Sequence, residues 1–181
     1  MKTKKYELVA EKSIEYFGLK LFRIRALISF GVVSAGEEGG FVESEKNVDQ
    51  SGNAWVSGNA RVYGNAQVYG DARVYGDAQV SGNAWVYGNA QLLWVSKVGG
   101  ELGVLTAFRN SFGGITVTRG CFIGTLDEFR AAVIKKHGGT LHEKGYLGLA
   151  NYIDWHFTEL HPLGAGDIPP GLKAEASRSK I

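Results

Sequence analysis

A hexapeptide repeat constrains this chain more than any other feature. The units SGNAWV, SGNARV, YGNAQV, YGDARV, YGDAQV, SGNAWV and YGNAQL run without interruption from Ser51 to Leu92. Valine recurs at every sixth residue, at Val56, Val62, Val68, Val74, Val80 and Val86, with Leu92 next in the series. Alanine keeps the same step at Ala54, Ala60, Ala66, Ala72, Ala78, Ala84 and Ala90. A helix turns about 100° per residue, so a period of six would scatter these valines round its whole circumference. One unit is too short to bury its own valine, so the units must stack. A parallel β-helix meets both demands: each unit supplies a short strand and a corner, three units close one coil, and valines from all three sides fill the interior. Gly-Asn or Gly-Asp marks each corner, because glycine takes positive φ without steric cost and Asn or Asp tolerates the left-handed region better than other residues.

Weaker echoes extend the pattern. Val42 and Val48 are six apart and are followed by a two-residue slip to Val56, while Leu92, Val98 and Val104 keep the period after the Gly-Asn-Ala signature fades. The expectation is a prism over residues 42–104 of nearly four coils, with irregular first and last turns that cap exposed strand edges. The repeats resemble the left-handed parallel β-helix of the hexapeptide-repeat superfamily, whose crossovers depart from the general right-handed rule. The fold expected is mainly β: that β-helix over 38–106, an N-terminal β-hairpin cap over 1–37, a C-terminal α/β cap over 107–160, and a loose tail or strap over 161–181.

The flanks supply the caps. SIEYFGLKLFRIRAL, Ser13 to Leu27, predicts a hairpin turning near Gly18, with Leu21, Phe22, Ile24 and Leu27 as apolar anchors. After the prism, LTAFRN, the SFGG turn and ITVTRGCF predict a second hairpin. Thr125-Leu-Asp-Glu128 is a capping box opening a helix with Leu126, Phe129 and Val133 on one face. Thr140-Leu-His-Glu143 precedes a second helical stripe of Tyr146, Leu149, Ile153 and Phe157. The words GEEGGFVESEKNV before the repeats and TRGCFIGTLDEFRAAVIKKHG after them resemble a group of phage and prophage proteins of the transferase-like hexapeptide type. That resemblance implies a virus-encoded protein acting in a bacterial cytoplasm, and it brings no site residues with it.

Composition narrows the function. The 181 residues carry 20 Lys+Arg against 18 Asp+Glu, a net charge of +2, which argues against a sequence-nonspecific nucleic-acid binder. Hydrophobic residues at 44% and charged residues at 21% exclude wholesale disorder. The start MKTKKYELVAEKSIEY lacks the apolar core of a signal peptide, and no run approaches the roughly 20 apolar residues of a membrane span, so a soluble protein with no membrane partner is expected. Charge is sorted, with basic residues concentrated over 1–25 and acidic ones over 37–49. These patches pair within the molecule, or alternatively Arg23-Ile-Arg25 presents its guanidiniums to an anion.

Hexapeptide-repeat enzymes are typically CoA-dependent acyltransferases in which a histidine near the intersubunit groove serves as general base. No histidine lies between Met1 and Lys136, and no loop interrupts the repeats to hold an acceptor. His137, His142, His156 and His161 all belong to the C-terminal cap, His156 and His161 being the weak catalytic candidates. Cys121, the only cysteine, ends a predicted strand, where a small buried hydrophobe is the default. No Cys or His pairs have metal-ligand spacing.

Positions 18 apart stack on one side of such a prism. Trp55, Arg73 and Gln91 form one outward column, Arg61 and Gln79 a second, Gln67 and Trp85 a third; beside them stand Ser57, Tyr75 and Leu93, then Tyr63 and Ser81, then Tyr69 and Tyr87. Aromatic and arginine side chains enriched on a surface with few other charges suggest an interface, and a homotrimer closed round a three-fold axis would bury them. The ligand-binding candidates are Arg61, Tyr63, Tyr69, Arg73, Tyr75, Trp85 and Tyr87. The leading expectation is a non-catalytic phage trimer, possessing no cofactor, that sequesters a host nucleotide-like ligand in counter-defence or blocks a host defence protein. An acyltransferase using CoA and a structural virion component are the alternatives.

Overall fold

The computed structural model describes residues 4–164 of a mainly β chain, and these fall into two compact units divided between Asn89 and Ala90.

The first unit begins with β1 (Tyr6–Tyr16) and β2 (Leu19–Ala26), antiparallel about a two-residue turn at Phe17-Gly18, and β3 (Glu38–Val42), antiparallel to β2. The hairpin thus starts seven residues earlier than Ser13 and carries a bulge between Val9 and Ser13. Leu21 and Ile24 are fully buried and Phe22 half-buried, whereas Leu27, expected as an anchor, lies beyond the end of β2 and is exposed. Six two-residue strands follow: β4 (Trp55–Val56), β5 (Arg61–Val62), β6 (Gln67–Val68), β7 (Arg73–Val74), β8 (Gln79–Val80) and β9 (Trp85–Val86).

These strands pair in parallel at the spacing of three repeats: Val56 with Val74, Val62 with Val80, and Val68 with Val86. Each rung is tied to the next by backbone bonds such as Trp55 N–H to the Ala72 carbonyl (3.0 Å) and Arg61 N–H to that of Ala78 (2.9 Å). The valines and the repeat alanines are buried. The corner glycines Gly52, Gly58, Gly64, Gly70, Gly76 and Gly82 have φ between 65° and 69°, a region costly for any residue with a Cβ.

The first layer has a longer path. Val42 pairs with Val62 and Val48 bridges to Val68, both 20 residues on, so the two-residue slip falls between Val48 and Val56. In place of its first Gly-Asn corner stands a 3-10 turn, Glu45–Asn47. Asn47 is fully buried there; its amide donates to the Gly64 carbonyl (3.2 Å) and the Ala66 carbonyl (2.9 Å) of the next layer, and its Oδ1 accepts from Ser44 N–H (2.9 Å). The extra corner is held by Lys5, whose buried ammonium donates to the carbonyls of Ala54 (2.8 Å) and Ser51 (3.2 Å). Burial pulls the Lys5 ammonium down to about 8, opposed by Asp49. Close packing of β3 requires glycine: a Cβ on Gly39 would lie 2.5 Å from both an Ile24 side-chain carbon and the Val56 carbonyl oxygen.

The charge patches pair within this unit through Lys4 with Glu45 (2.8 Å) and Lys12 with Glu38 (2.5 Å). Arg23 and Arg25 both have partners inside this unit. Arg25 is bonded to Glu7, while Arg23 donates to the Gly39 carbonyl (2.7 Å) and lies 4.3 Å from the Phe41 ring centroid.

The second unit is a four-stranded antiparallel meander, β10 (Leu92–Val98), β11 (Gly103–Arg109), β12 (Ile115–Arg119) and β13 (Phe122–Thr125), followed by α1 (Leu126–His137) and α2 (Leu141–Trp155). The prism was expected to continue through Val98 and Val104, but Leu92–Val98 pairs antiparallel with β11, leaving just under three layers rather than nearly four coils. The change starts at Gly88, which lacks the positive φ of the earlier corners and leads into a 3-10 turn at Asn89–Gln91. Thr125 caps α1 reciprocally with Glu128; Thr140 caps α2, but there Glu143 accepts instead from Gly139 N–H (2.7 Å). Leu105, Val117, Phe129, Val133, Tyr146, Ile153 and Phe157 share one buried core. From residue 165 onward the expected tail lies outside the described residues.

Candidate functional site

The repeat register aligns the candidate side chains in columns, and their surroundings differ from face to face. Trp55, paired with Arg73, does not project to solvent: Phe30 (5.4 Å between ring centroids) and Tyr6 (6.2 Å) close over it, and it is buried. It therefore needs no cover from a neighbouring chain. Arg61 and Tyr63 are also engaged by the N-terminal hairpin. The Arg61 guanidinium lies 4.7 Å from the Tyr16 ring centroid, Tyr16 meets Tyr63 edge-on at 5.8 Å, and the Tyr16 hydroxyl donates to Gln79 (2.8 Å). Burial, with Tyr63 beside it, raises the Tyr16 phenol, and Arg61 opposes the shift.

The remaining aromatics form the open part of the surface. Tyr69 packs edge-on against Trp85 (4.8 Å) and Tyr87 (5.0 Å), joining three of the sequence candidates in one cluster. The Tyr69 hydroxyl is buried and has no hydrogen-bond partner; desolvation first, and Tyr87 second, push its pKa up. Tyr69 and Trp85 also line a groove of about 470 Å³ whose other walls include Glu45, Lys46, Asp49 and Gln67. Its charged groups are thus two carboxylates and one ammonium, a poor cradle for phosphate. Arg73 and Tyr75 stand on another column, with Tyr75 55% exposed and Tyr87 47% exposed. Within one chain the structure brings Tyr69, Trp85 and Tyr87 together, and Arg61 and Tyr63, but it does not bring either arginine to the aromatic trio.

The histidine candidates lie in the second unit. His156 is buried where α2 widens into a π-turn, His156–Leu160, and its ring meets His161 (4.8 Å) and Phe157 (4.9 Å) edge-on. Neither ring nitrogen has a hydrogen-bond partner. Desolvation, then His161 and Arg109, hold its pKa below the usual histidine value; the Ala90 backbone pulls the other way without reaching hydrogen-bond geometry. Asp154 binds Arg130 (2.8 Å). A general base needs an orienting partner and access to its substrate, and His156 has neither. His161 is exposed.

Cys121, expected as a buried hydrophobe, is exposed, because β12 ends at Arg119 and the thiol sits in the turn to β13. It borders a cavity of about 480 Å³ that reading residues singly did not reveal. The available signal was the nearness of Arg119 and Cys121 at a strand end to two histidines flanking the α1–α2 turn, but only the tertiary fold joins them. No group of three His, Cys, Asp or Glu is placed to hold a metal among the described residues. Among the same residues no helix is long and apolar enough to cross a membrane.

Three consecutive stretches of the repeat region, residues 54–67, 66–78 and 78–93, match the family model described as YdcK beta solenoid repeat. The repeats are thus of the β-solenoid kind, in agreement with the parallel rungs. No curated protein matches the chain.

Proposed function

We propose that this chain is a non-catalytic binding protein built on a left-handed parallel β-helix, assembling as a homotrimer that holds a flat, anionic, nucleotide-like ligand between neighbouring solenoids. The observation that carries this reading is the Tyr69, Trp85 and Tyr87 cluster: three rings in contact, one hydroxyl without a partner, and one ring 47% exposed. Aromatic faces of this kind stack flat bases tolerantly. The groove beside the trio, with two carboxylates and one ammonium, is a poor phosphate site, and in this reading Arg73 of an adjacent copy supplies the counter-charge. In a three-fold assembly every contact joins unlike faces, which allows columns separated within a chain to converge. Exposed Tyr75 next to that arginine would become part of the same contact. The repeat motif favours the left-handed form, and the flanking words favour a phage product that sequesters a host molecule.

Light scattering should give a mass near three times the 19.6 kDa chain. Calorimetry with a panel of mono-, di- and cyclic nucleotides should find binding that Arg73→Ala weakens about 10- to 100-fold, the cost of one charge-assisted contact. Tyr87→Ala should weaken it as well. A monomer at micromolar concentration, or no binding by any nucleotide, would overturn the proposal. Arg61→Ala is the less informative variant, since its guanidinium already packs on Tyr16.

A further inference from the structure

The cavity of about 480 Å³ in the second unit is of ligand size, small-molecule sites commonly spanning roughly 300–1,000 Å³. Its walls belong to α1, α2 and the β10–β11 and β12–β13 turns. Phe122, Phe129, Val133 and Tyr146 supply an apolar, ring-rich floor continuous with the core of this unit. Phe129 packs edge-on against both Phe122 (5.5 Å) and Tyr146 (5.9 Å), and His137 stacks on Tyr146 at 5.5 Å, so the aromatic surface is fixed by packing.

The rim carries the charge. Arg119 and Lys136 are its cations, and His137 and His142 place two imidazoles beside them. The one carboxylate, Glu101, is 3.8 Å from Arg119, but its side chain is 82% exposed, whereas that of Arg119 is 12% exposed. Arg119 is held rigidly. It donates to the Val98 carbonyl (2.9 Å), and it packs so closely on Gly103 that a Cβ there would lie 2.4 Å from a guanidinium nitrogen. Its buried Nε donates to nothing. A guanidinium fixed at the rim, a second cation and an aromatic floor describe the complement of a small arylalkyl carboxylate.

We propose that this cavity binds an arylalkyl carboxylate, with the ring on the Phe122, Phe129 and Tyr146 floor and the carboxylate between Arg119 and Lys136. A phosphate-rich ligand fits less well, because most of the wall is apolar and only two formal cations face it. The site is independent of the solenoid reading.

The only cysteine of the chain lines this cavity and gives a direct reporter of occupancy. The full chain would be alkylated with neutral iodoacetamide in the presence of 4-phenylbutyrate, 4-phenylbutanol or 4-phenylbutylamine, which share one apolar body and differ in head-group charge. Phenylbutyrate should slow Cys121 alkylation saturably, the alcohol should require several-fold higher concentration, and the amine should give no protection. Lys136→Met, on the exposed side of α1, should weaken phenylbutyrate protection about threefold to tenfold and leave the alcohol unchanged. Ala132→Phe, which fills the cavity from α1, should abolish protection by both while the thermal transition is retained. Equal protection by all three compounds, protection by none, or no response to Lys136→Met would overturn the proposal.

Discussion

Asn47 is the point at which a two-residue irregularity in the repeat becomes a fixed part of the fold, and replacing it by aspartate tests that role with almost no change in shape. The side chain is fully buried and donates to the carbonyls of Gly64 and Ala66 in the next layer. Asn47→Asp removes both donations but keeps an acceptor for Ser44 N–H. Each lost bond is worth about 1 kcal/mol net, and each buried carbonyl left unpaired adds a desolvation cost of about 1–3 kcal/mol, partly relieved by local adjustment. A total loss of about 3–5 kcal/mol at pH 7 follows. Burial beside two carbonyls would raise the carboxyl of the variant above its unfolded value of about 3.9. The folded variant then binds more protons than the unfolded chain, so its stability falls as pH rises from about 4. The gap to the parent protein should therefore widen with pH, because the protonated acid returns one donor to the carbonyls. Urea unfolding followed by circular dichroism at several pH values measures both effects. Asn47→Leu, which lacks a titrating group, should be similarly destabilised without the added pH dependence. A loss below about 1 kcal/mol for Asn47→Asp, with no pH dependence relative to the parent, would refute the reasoning.

Val74→Asp places a carboxylate in the middle of the solenoid interior, where the paired Val56 and the other valines offer it no donor; urea unfolding should lose its cooperative transition, and a parent-like midpoint would contradict the inward valine column. His156 is held below its ordinary value by burial, His161 and Arg109, so the unfolded chain takes up its proton first and stability should fall as pH drops below about 6.5 until the folded value is passed. His156→Phe should flatten that part of the pH profile in thermal melts, and an unchanged slope would assign the acid sensitivity elsewhere.

The repeat was legible because its constraints are local and repeated. A glycine at positive φ, a small alanine and an inward valine recur until only one parallel stacking accommodates them all. The failure at Leu92 is equally physical. A spacing of six does not by itself specify a coil: Leu92 and Val98 keep it within the antiparallel β10, across the bulge between Val95 and Val98. The caps were visible as helices through Thr125 with Glu128 and Thr140 with Glu143, since capping needs only neighbours in sequence. The fate of the outward aromatics was not visible. Whether Trp55 meets solvent depends on Tyr6 and Phe30, dozens of residues away, and nothing in the repeat itself separates it from Trp85. The second-unit cavity was hidden for the same reason, its cations and rings coming from a strand end and two helices that look unremarkable one at a time.

The pairing of Trp55 over Arg73, Arg61 over Gln79 and Gln67 over Trp85 also sets a rule for how such a chain can change length. Gaining or losing one hexapeptide would keep every valine inward, so the interior would tolerate it, yet it would turn the later columns by one face and bring unlike side chains into register. Only units taken three at a time return each column to its own side. The surface chemistry of the solenoid is therefore quantised more coarsely than its core: replication slippage in the gene can be silent for folding and still scramble the Tyr69, Trp85 and Tyr87 face.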